Sequence, residues 1–468
     1  MLEDIINKLK TKSQDGFSQE LIDQIISEAK DVAKDNNSEV TEEIVGKVAD
    51  KMINAGDYLK KFTADDDNQW LLNKIVDNEF CAACGTCEIV CPNNFVDFDE
   101  GPSLGEYCRR LGNGMCHEVC PRVSSGRYQI SIREDFFEKY YYAKGAANGQ
   151  DGGVITTFLK DLIAKGKIDG AIVVGDVKWK PVSLIIKDAD ALEHAAKSKY
   201  AISPLSALKK AGDMGLEKVA VVGLPCQIEG LRKYQYYPYL AKHSSEIGDE
   251  GYPVNLPKIE YLIGLFCTEK FKLQTIKEVC LENEIDIGDV TKFNVSNGKF
   301  IMETPDKTIN VPVKDVELFS GCKVCRDFSS DLADVSIGNV GSPEGYSTVV
   351  IRTKKGEDIA DAVTLEEGVD KTAIDKLTQF KLKRFHKEID ERVKNDEFVS
   401  YYWNDYKGGV GIRSDGNYFV RVRAKPSGFY DVEEAELINE VVKDYEARIK
   451  LTNRGTYELH DIKPIDVE

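Results

Sequence analysis

Residues 151–175 read DGGVITTFLKDLIAKGKIDGAIVVG, a glycine pair that runs into an apolar segment and then into a short β-rich one. The spacing predicts a helix from Val154 to about Ala164 and a strand from Ala171 to Val174. Residues 218–233, KVAVVGLPCQIEGLRK, repeat the order of strand, sharp turn and helix, and IEYLIGLFC at 259–267 ends a third apolar run. Continuous apolar strands alternating with helices predict a parallel or mixed sheet covered on both faces. Ligands bind such sheets beyond the carboxyl ends of the strands, and Cys226 and Cys267 each fall just past one.

Downstream, residues 321–358 carry the tight pair Cys322 and Cys325 and then two strand-like runs punctuated by Gly338, Gly341 and Gly345. Glycines there suit tight turns or close backbone approach to a ligand. If the strands are neighbours, Cys226, Cys267, Cys322 and Cys325 converge at one end of the sheet. Four thiolates there suit zinc or a 4Fe-4S cube, and Cys322 with Cys325 also fits a redox dithiol; spacing leaves all three open. Cys280, inside the helical pattern IKEVCLEN, is expected to be a core thiol. A charged helix is expected over about 370–396. NYFVRVRAK (417–425) then reads as a strand and DVEEAELINEVVKDYEARIK (431–450) as an amphipathic helix, a small α/β tail without a recognisable chemical motif.

Upstream lies a second cysteine group, CAACGTCEIVCP at 81–92 and CHEVCP at 116–121. Cys81, Cys84, Cys87 and Cys91 have the C-x2-C-x2-C-x3-C-P spacing of two-cluster ferredoxins, in which the fourth cysteine serves the other cluster. By the same exchange Cys120, ahead of Pro121, completes a 4Fe-4S site with Cys81, Cys84 and Cys87. The second repeat is one ligand short. Cys91, Cys108 and Cys116 could hold a 3Fe-4S cluster, or a 4Fe-4S cluster completed by Asn113 or His117. Seven cysteines in this stretch exceed the four ligands of a structural zinc site, and a disulfide framework belongs to oxidising compartments.

A net charge of -18 over 468 residues argues against nucleic acid and anionic membranes as partners. No apolar run approaches the roughly 18 residues of a membrane span, and MLEDIINKLK lacks a signal peptide's progression. Reduced, metal-binding thiols in the cytoplasm are the expectation. The organisation expected is a helical lead-in over 1–75, a ferredoxin-like iron-sulfur domain over 76–135, an α/β domain over 140–368, and a helix with a small α/β tail over 369–468. The lead-in keeps helical apolar spacing between acidic faces and ends in Asp65, Asp66 and Asp67.

QDGGVITTFL, SKYAISP, VVGLPCQIEGLRK, IGLFCTEKF, GCKVCRDF and ADVSIGNVGSPEGYSTVVIRT occur in this order between about 140 and 355. Together they resemble the beta subunit of coenzyme F420-reducing hydrogenase and its relatives. The resemblance implies an α/β flavoprotein that binds FAD and one 4Fe-4S cluster and exchanges a hydride with coenzyme F420, a deazaflavin. It implies cluster ligation by Cys226, Cys267, Cys322 and Cys325, and flavin contacts from Gln150, Asp151, Gly152, Gly153, Lys197, Lys199 and Tyr200, with Gly338 and Gly341 nearby. No side chain need act as a covalent catalyst. A glycine pair ahead of a helix amino terminus lets backbone amides approach a phosphate. Local lysines or Arg232 would offset the chain's acidity for the anionic coenzyme. The ferredoxin-like stretch implies single-electron relay to a separate redox subunit of hydrogenase, dehydrogenase or reductase type, in the cytoplasm or held at a membrane complex through that partner. Two alternatives stay open: a ferredoxin-dependent reductase of an organic substrate, like hydroxymethyl chlorophyll reductase, and a non-catalytic electron wire.

Overall fold

The computed structural model describes residues 136–240 and 255–395, apart from 148, 196 and 204. It also describes shorter pieces: residues 26, 30, 75–76, 79–91, 96–98, 102–104, 116, 119–122, 130, 410–412, 418–422, 432–451 and 457–462. The helical lead-in therefore lies almost wholly outside the described residues, as do Cys108, Asn113 and His117.

In chain order the cysteine-rich stretch supplies α1 (Thr86–Ile89) and the antiparallel pair β1 (Val96–Phe98) and β2 (Pro102–Leu104). The central part runs β3 (Lys139–Ala143), α2 (Val154–Ala164), β4 (Gly170–Val177), β5 (Lys180–Ile186), α3 (Ala207–Asp213), β6 (Lys218–Gly223), α4 (Pro225–Leu240), β7 (Lys258–Leu265) and α5 (Leu273–Glu282). A small antiparallel sheet of β8 (Lys292–Ser296), β9 (Lys299–Glu303) and β10 (Thr308–Pro312) follows. Then come β11 (Val335–Gly338), β12 (Ser347–Ile351), α6 (Lys354–Ala360) and α7 (Lys371–Asn395). The tail holds β13 (Val410–Ile412), β14 (Tyr418–Val422), α8 (Val432–Asp444), β15 (Arg448–Leu451) and β16 (Tyr457–Ile462).

The main sheet has seven strands in the order β3-β12-β11-β7-β6-β4-β5. Its middle four, β11, β7, β6 and β4, are parallel, and the outer strands are antiparallel to their neighbours. The fold is thus mixed α/β, as the sequence predicts. Alternation along the strands divides the core. Ala171, Val173, Ala220 and Val222 face α2, whereas Ile172, Val219 and Val221 face α3, α4 and the cysteine-rich stretch. Ile259 and Leu262 fall on one face with Tyr261 and Ile263 on the other, a parity that holds because the register slips by one residue at Glu260.

The helix over Val154–Ala164 has the predicted bounds, but β4 extends past Val174 into a hairpin with β5. Its two-residue turn is Lys178 and Trp179, both left-handed at φ 51° and 65°, without the Asn-Gly signal that usually marks such a turn. Trp179 is held in place by its indole, which donates to Val290 O at 3.1 Å, and by an edge contact with Phe293. The tail helix ends at Asp444 rather than running to Lys450. Glu446, at φ 50°, turns the chain, and Ala447 N donates back to Val442 O, a stop made without glycine. Cys280 is fully buried beside Met302, as expected of a core thiol. Among the described residues no helix is long and apolar enough to cross a membrane.

Candidate functional site

Because β6 and β7 are neighbours, Cys226 at the start of α4 and Cys267 just past β7 emerge at the same end of the sheet. Cys322 and Cys325 come to the same place from the segment before β11, and Cys267 feels the charge of both. The four thiols thus converge, as the spacing predicts. Cys81, Cys84, Cys87 and Cys120 form a second quartet around α1, with Cys116 also near Cys87. The two quartets adjoin each other, since Cys226 lies within electrostatic reach of Cys84 as well as of Cys325 and Cys267.

Two glycines permit that approach. A Cβ on Gly321 would stand 1.8 Å from Cys81 O, and one on Gly230 of α4 would stand 2.3 Å from Thr86 Oγ1. Cations of the α/β part then engage the cysteine-rich stretch through its carbonyls. Lys209 Nζ donates to Cys91 O at 2.7 Å, Lys233 Nζ to Cys120 O at 2.8 Å, and Lys270 Nζ to Ala82 O and Ala83 O at 2.5 and 3.1 Å. Arg122 reciprocates from the other side, donating to Phe80 O and Gly321 O. In a chain this acidic, positive charge is brought in beside the buried thiols.

Sequence reasoning missed these cations, although one signal was present. The buried stripe of α7 contains Ile374, Lys381, Phe385 and Ile389, so a lysine occupies a position whose spacing calls for an apolar residue. Lys381 Nζ lies 3.2 Å from Cys325 Sγ and donates to Cys267 O and Asp327 O. Burial pushes most of these thiols up, Cys81 to about 11 and Cys120 and Cys267 to about 12. Burial would raise Cys325 too, but Lys381 and then Arg122 outweigh it and hold this thiol at about 7. Burial disfavours charge on Lys270, yet Cys226, Cys322, Cys267 and Cys84 more than offset it and keep the ammonium favoured.

Among the described residues no three Cys, His, Asp or Glu side chains gather closely enough to hold a single metal ion. Each donor set is made of thiols within electrostatic reach of one another with buried cations beside them, the donor chemistry that iron-sulfur clusters take. A cavity between the two parts opens on Cys226 and Cys325 and is lined from the other side by Phe80, Pro121 and Arg122.

The expected flavin residues lie at the same end of the sheet. Gly153, left-handed at φ 65°, begins α2, whose amino terminus has no side-chain cap. Gly152 N donates to Ser347 Oγ, and its α-carbon is so close to Ala143 O and Ser347 N that a Cβ would be 2.7 Å from each. Gln150 Oε1 accepts from Ser198 N at 2.6 Å, fixing the 197–200 segment beside this turn. Asp151 accepts from Asn339 and faces Lys292, and Tyr200 reaches Asn294. Tyr200 also lies within electrostatic reach of Cys267.

Several expected residues have other engagements. Lys197 Nζ donates to Thr291 O, and Lys199 Nζ donates to Ala195 O and Lys197 O and pairs with Asp176 at 3.7 Å. Gly338 accommodates the Phe266 ring, and Gly341 O accepts from Asp370 N at the approach to α7. Arg232, expected to offset charge for an anionic coenzyme, is instead buried and paired with Asp334 at 3.0 Å, because α4 turns it into the interior.

The fold and site define a mixed α/β module with thiols at its strand ends and a cysteine-rich stretch docked on one face. Comparison with known proteins makes this specific. Residues 140–210 match the model of the coenzyme F420 hydrogenase/dehydrogenase beta subunit N-terminal part, and residues 216–377 match that of its C terminus. The coenzyme F420 hydrogenase beta subunit of Methanothermobacter thermautotrophicus is 37% identical over 217 residues, 45% of this chain and 73% of that one. This chain belongs to the coenzyme F420 hydrogenase/dehydrogenase beta-subunit family.

Coenzyme F420-dependent sulfite reductase of Methanocaldococcus jannaschii is 60% identical over 400 residues, 86% of this chain, and this chain spans 64% of that relative's length. The coenzyme F420 hydrogenase beta subunit of Methanosarcina barkeri is 34% identical over 262 residues, 52% of this chain and 86% of that one. Residues 412–468 match a nitrite/sulfite reductase ferredoxin-like half domain. The tail, which shows no chemical motif in its sequence, therefore has a recognisable relative that its strand and helix pattern alone did not reveal.

Proposed function

We propose that this chain draws electrons from reduced coenzyme F420 and passes them singly to a sulfite reductase-type centre. The observation that carries the reading is the close packing of Gly321, next to Cys322, on Cys81 O, which sets a ferredoxin-type thiol group beside the quartet at the sheet's end. The relative named as an F420-dependent sulfite reductase and the half domain over 412–468 support the choice of acceptor.

Cys226, Cys267, Cys322 and Cys325 would hold one 4Fe-4S cluster, Cys81, Cys84, Cys87 and Cys120 a second, and Cys91, Cys108 and Cys116 a 3Fe-4S or 4Fe-4S cluster. FAD would lie against the Gln150 to Gly153 turn and the Lys197 to Tyr200 segment. The chemistry these groups supply when bound is hydride acceptance from the deazaflavin coenzyme and release of its two electrons one at a time. The chain's own residues do the rest. The uncapped amino terminus of α2 presents free N–H groups to a phosphate. Gln150 ties the 198 segment to the turn, and Tyr200 stands between that turn's neighbour Asn294 and the electrostatic reach of Cys267.

The test is anaerobic. Protein reconstituted with FAD and iron is mixed with reduced F420, and flavin absorbance is followed with no organic substrate present. Bleaching is expected, followed by cluster signals in electron paramagnetic resonance; an unbleached flavin would sink the reading. Cys226→Ala should remove one cluster signal and leave the others. Sulfite consumption in the presence of the complete reductase tests the acceptor separately.

A further inference from the structure

Lys270 is a buried cation whose contacts reach both thiol quartets. It is 3% exposed and follows Cys267 by three residues. Its ammonium donates to Ala82 O and Ala83 O, the two residues between Cys81 and Cys84, while its backbone N–H donates to Cys322 Sγ at 3.4 Å. The thiols within its electrostatic reach are Cys226, Cys322 and Cys267 from the sheet's end and Cys84 from the cysteine-rich stretch. Phe319 covers it at 5.5 Å.

The neighbouring cations are placed differently. Lys381 touches Cys325, Cys267 and Asp327, all on one side. Lys233 reaches Cys120 O but is paired with Glu229 at 3.3 Å, so much of its charge is neutralised. Arg122 acts on Cys81 and Cys325, one thiol of each quartet, and faces the cavity between the two parts. Lys270 differs in bonding the turn between Cys81 and Cys84 through its ammonium and a sheet-end thiol through its own backbone N–H.

We propose that the buried ammonium of Lys270 is shared by the two thiol quartets and raises the reduction potentials of both clusters together. The inference rests on the reading above that both quartets hold iron-sulfur clusters. Its physical basis is that one-electron reduction adds a negative charge to a thiolate-bound cluster. A positive charge fixed in a low-dielectric interior stabilises that added charge, and net charge and surrounding hydrogen bonds are what set such potentials. Because one ammonium serves two sites, removing it should move two potentials in the same direction. Lys270 is therefore a positioning and tuning residue, with no contact to coenzyme required.

The experiment uses the full chain with its clusters reconstituted, iron quantified first, and midpoint potentials read by potentiometric titration with electron paramagnetic resonance. Lys270→Gln keeps an N–H donor near the Ala82 and Ala83 carbonyls and removes the charge. Both midpoints are expected to fall, each by about tenfold in the reduced-to-oxidised ratio at fixed potential, which is about 59 mV for a one-electron couple. Lys381→Gln should lower only the midpoint of the Cys226 cluster, and Lys270→Arg should return both midpoints toward the original. A shift of one midpoint only, or of neither, in Lys270→Gln would overturn the proposal. So would loss of iron from Lys270→Gln with retention in Lys270→Arg, which would make Lys270 a structural clamp alone. Wild-type protein that takes up no iron at one quartet sinks the underlying functional reading instead, a result distinct from unshifted potentials in a fully loaded protein.

Discussion

Lys381 Nζ stands 3.2 Å from Cys325 Sγ at the centre of a buried contact between α7 and the strand ends. The same ammonium is the hydrogen-bond donor for Cys267 O and Asp327 O. Lys381→Met leaves both carbonyls without that donor in a place that water reaches poorly, at about 1–3 kcal/mol for each unmet group. The variant is expected to unfold at lower denaturant than the parent when both are measured without metal. Equal midpoints would mean that α7 rearranges to satisfy the carbonyls in another way.

Much of this arrangement is legible in the sequence, because strands with continuous apolar runs and thiols just beyond them have few ways to pack. Once β6 and β7 are neighbours, Cys226 and Cys267 must meet. The docking of the cysteine-rich stretch on the sheet is not legible, since it depends on Gly230, Gly321 and lysines far apart in the chain. A lysine in a helix's buried stripe, as at Lys381, is a local signal that departs from the apolar period. The Lys178 and Trp179 turn and the stop at Glu446 give no such signal, because residues that rarely adopt left-handed backbone do so there under tertiary constraint.

Gly321 is a contact point that tolerates no side chain. An added Cβ would meet Cys81 O at 1.8 Å and Cys81 C at 2.6 Å, both backbone atoms that cannot swing aside. Gly321→Ala should separate the Cys81 loop from the sheet's end, with a cost of about 1–3 kcal/mol or more from overpacking. The measurable result is a fall in iron content at the Cys81 quartet together with a lower melting temperature. Gly298→Ala is the control: nothing lies within 4 Å of its Cβ, and its φ of 69° gives only backbone strain. Its iron content should match the parent's.

Asp169 offers a pH-dependent test remote from the thiols. Its Oδ2 accepts from Glu217 N and Lys218 N, each at 2.8 Å, and so joins the starts of β4 and β6. Donation from Lys218 and then Glu217 lowers its pKa below the usual 3.8. A carboxyl whose folded pKa is depressed adds stability above its unfolded pKa, and that stability is lost as pH falls through the folded value. Asp169→Asn should therefore melt below the parent near pH 6, with the gap closing as pH falls below the ordinary carboxylate range. A gap that stays constant across that range would remove the carboxylate as its cause.

Gln150 probes the proposed flavin site without touching a thiol. Its Oε1 holds Ser198 N at 2.6 Å, and its Nε2 reaches Phe293 O at 3.5 Å, so one side chain fixes the 197–200 segment and leans on the β8 edge. Gln150→Ala removes both bonds and leaves Ser198 N to water. A net hydrogen bond is worth about 0.5–1.5 kcal/mol, so FAD affinity should fall by up to about tenfold. Equilibrium titration of FAD into the flavin-free protein, followed by quenching of flavin fluorescence, reads this directly. If the affinity is unchanged while Gly153→Val abolishes binding, the turn before α2 holds the flavin without help from the 197–200 segment.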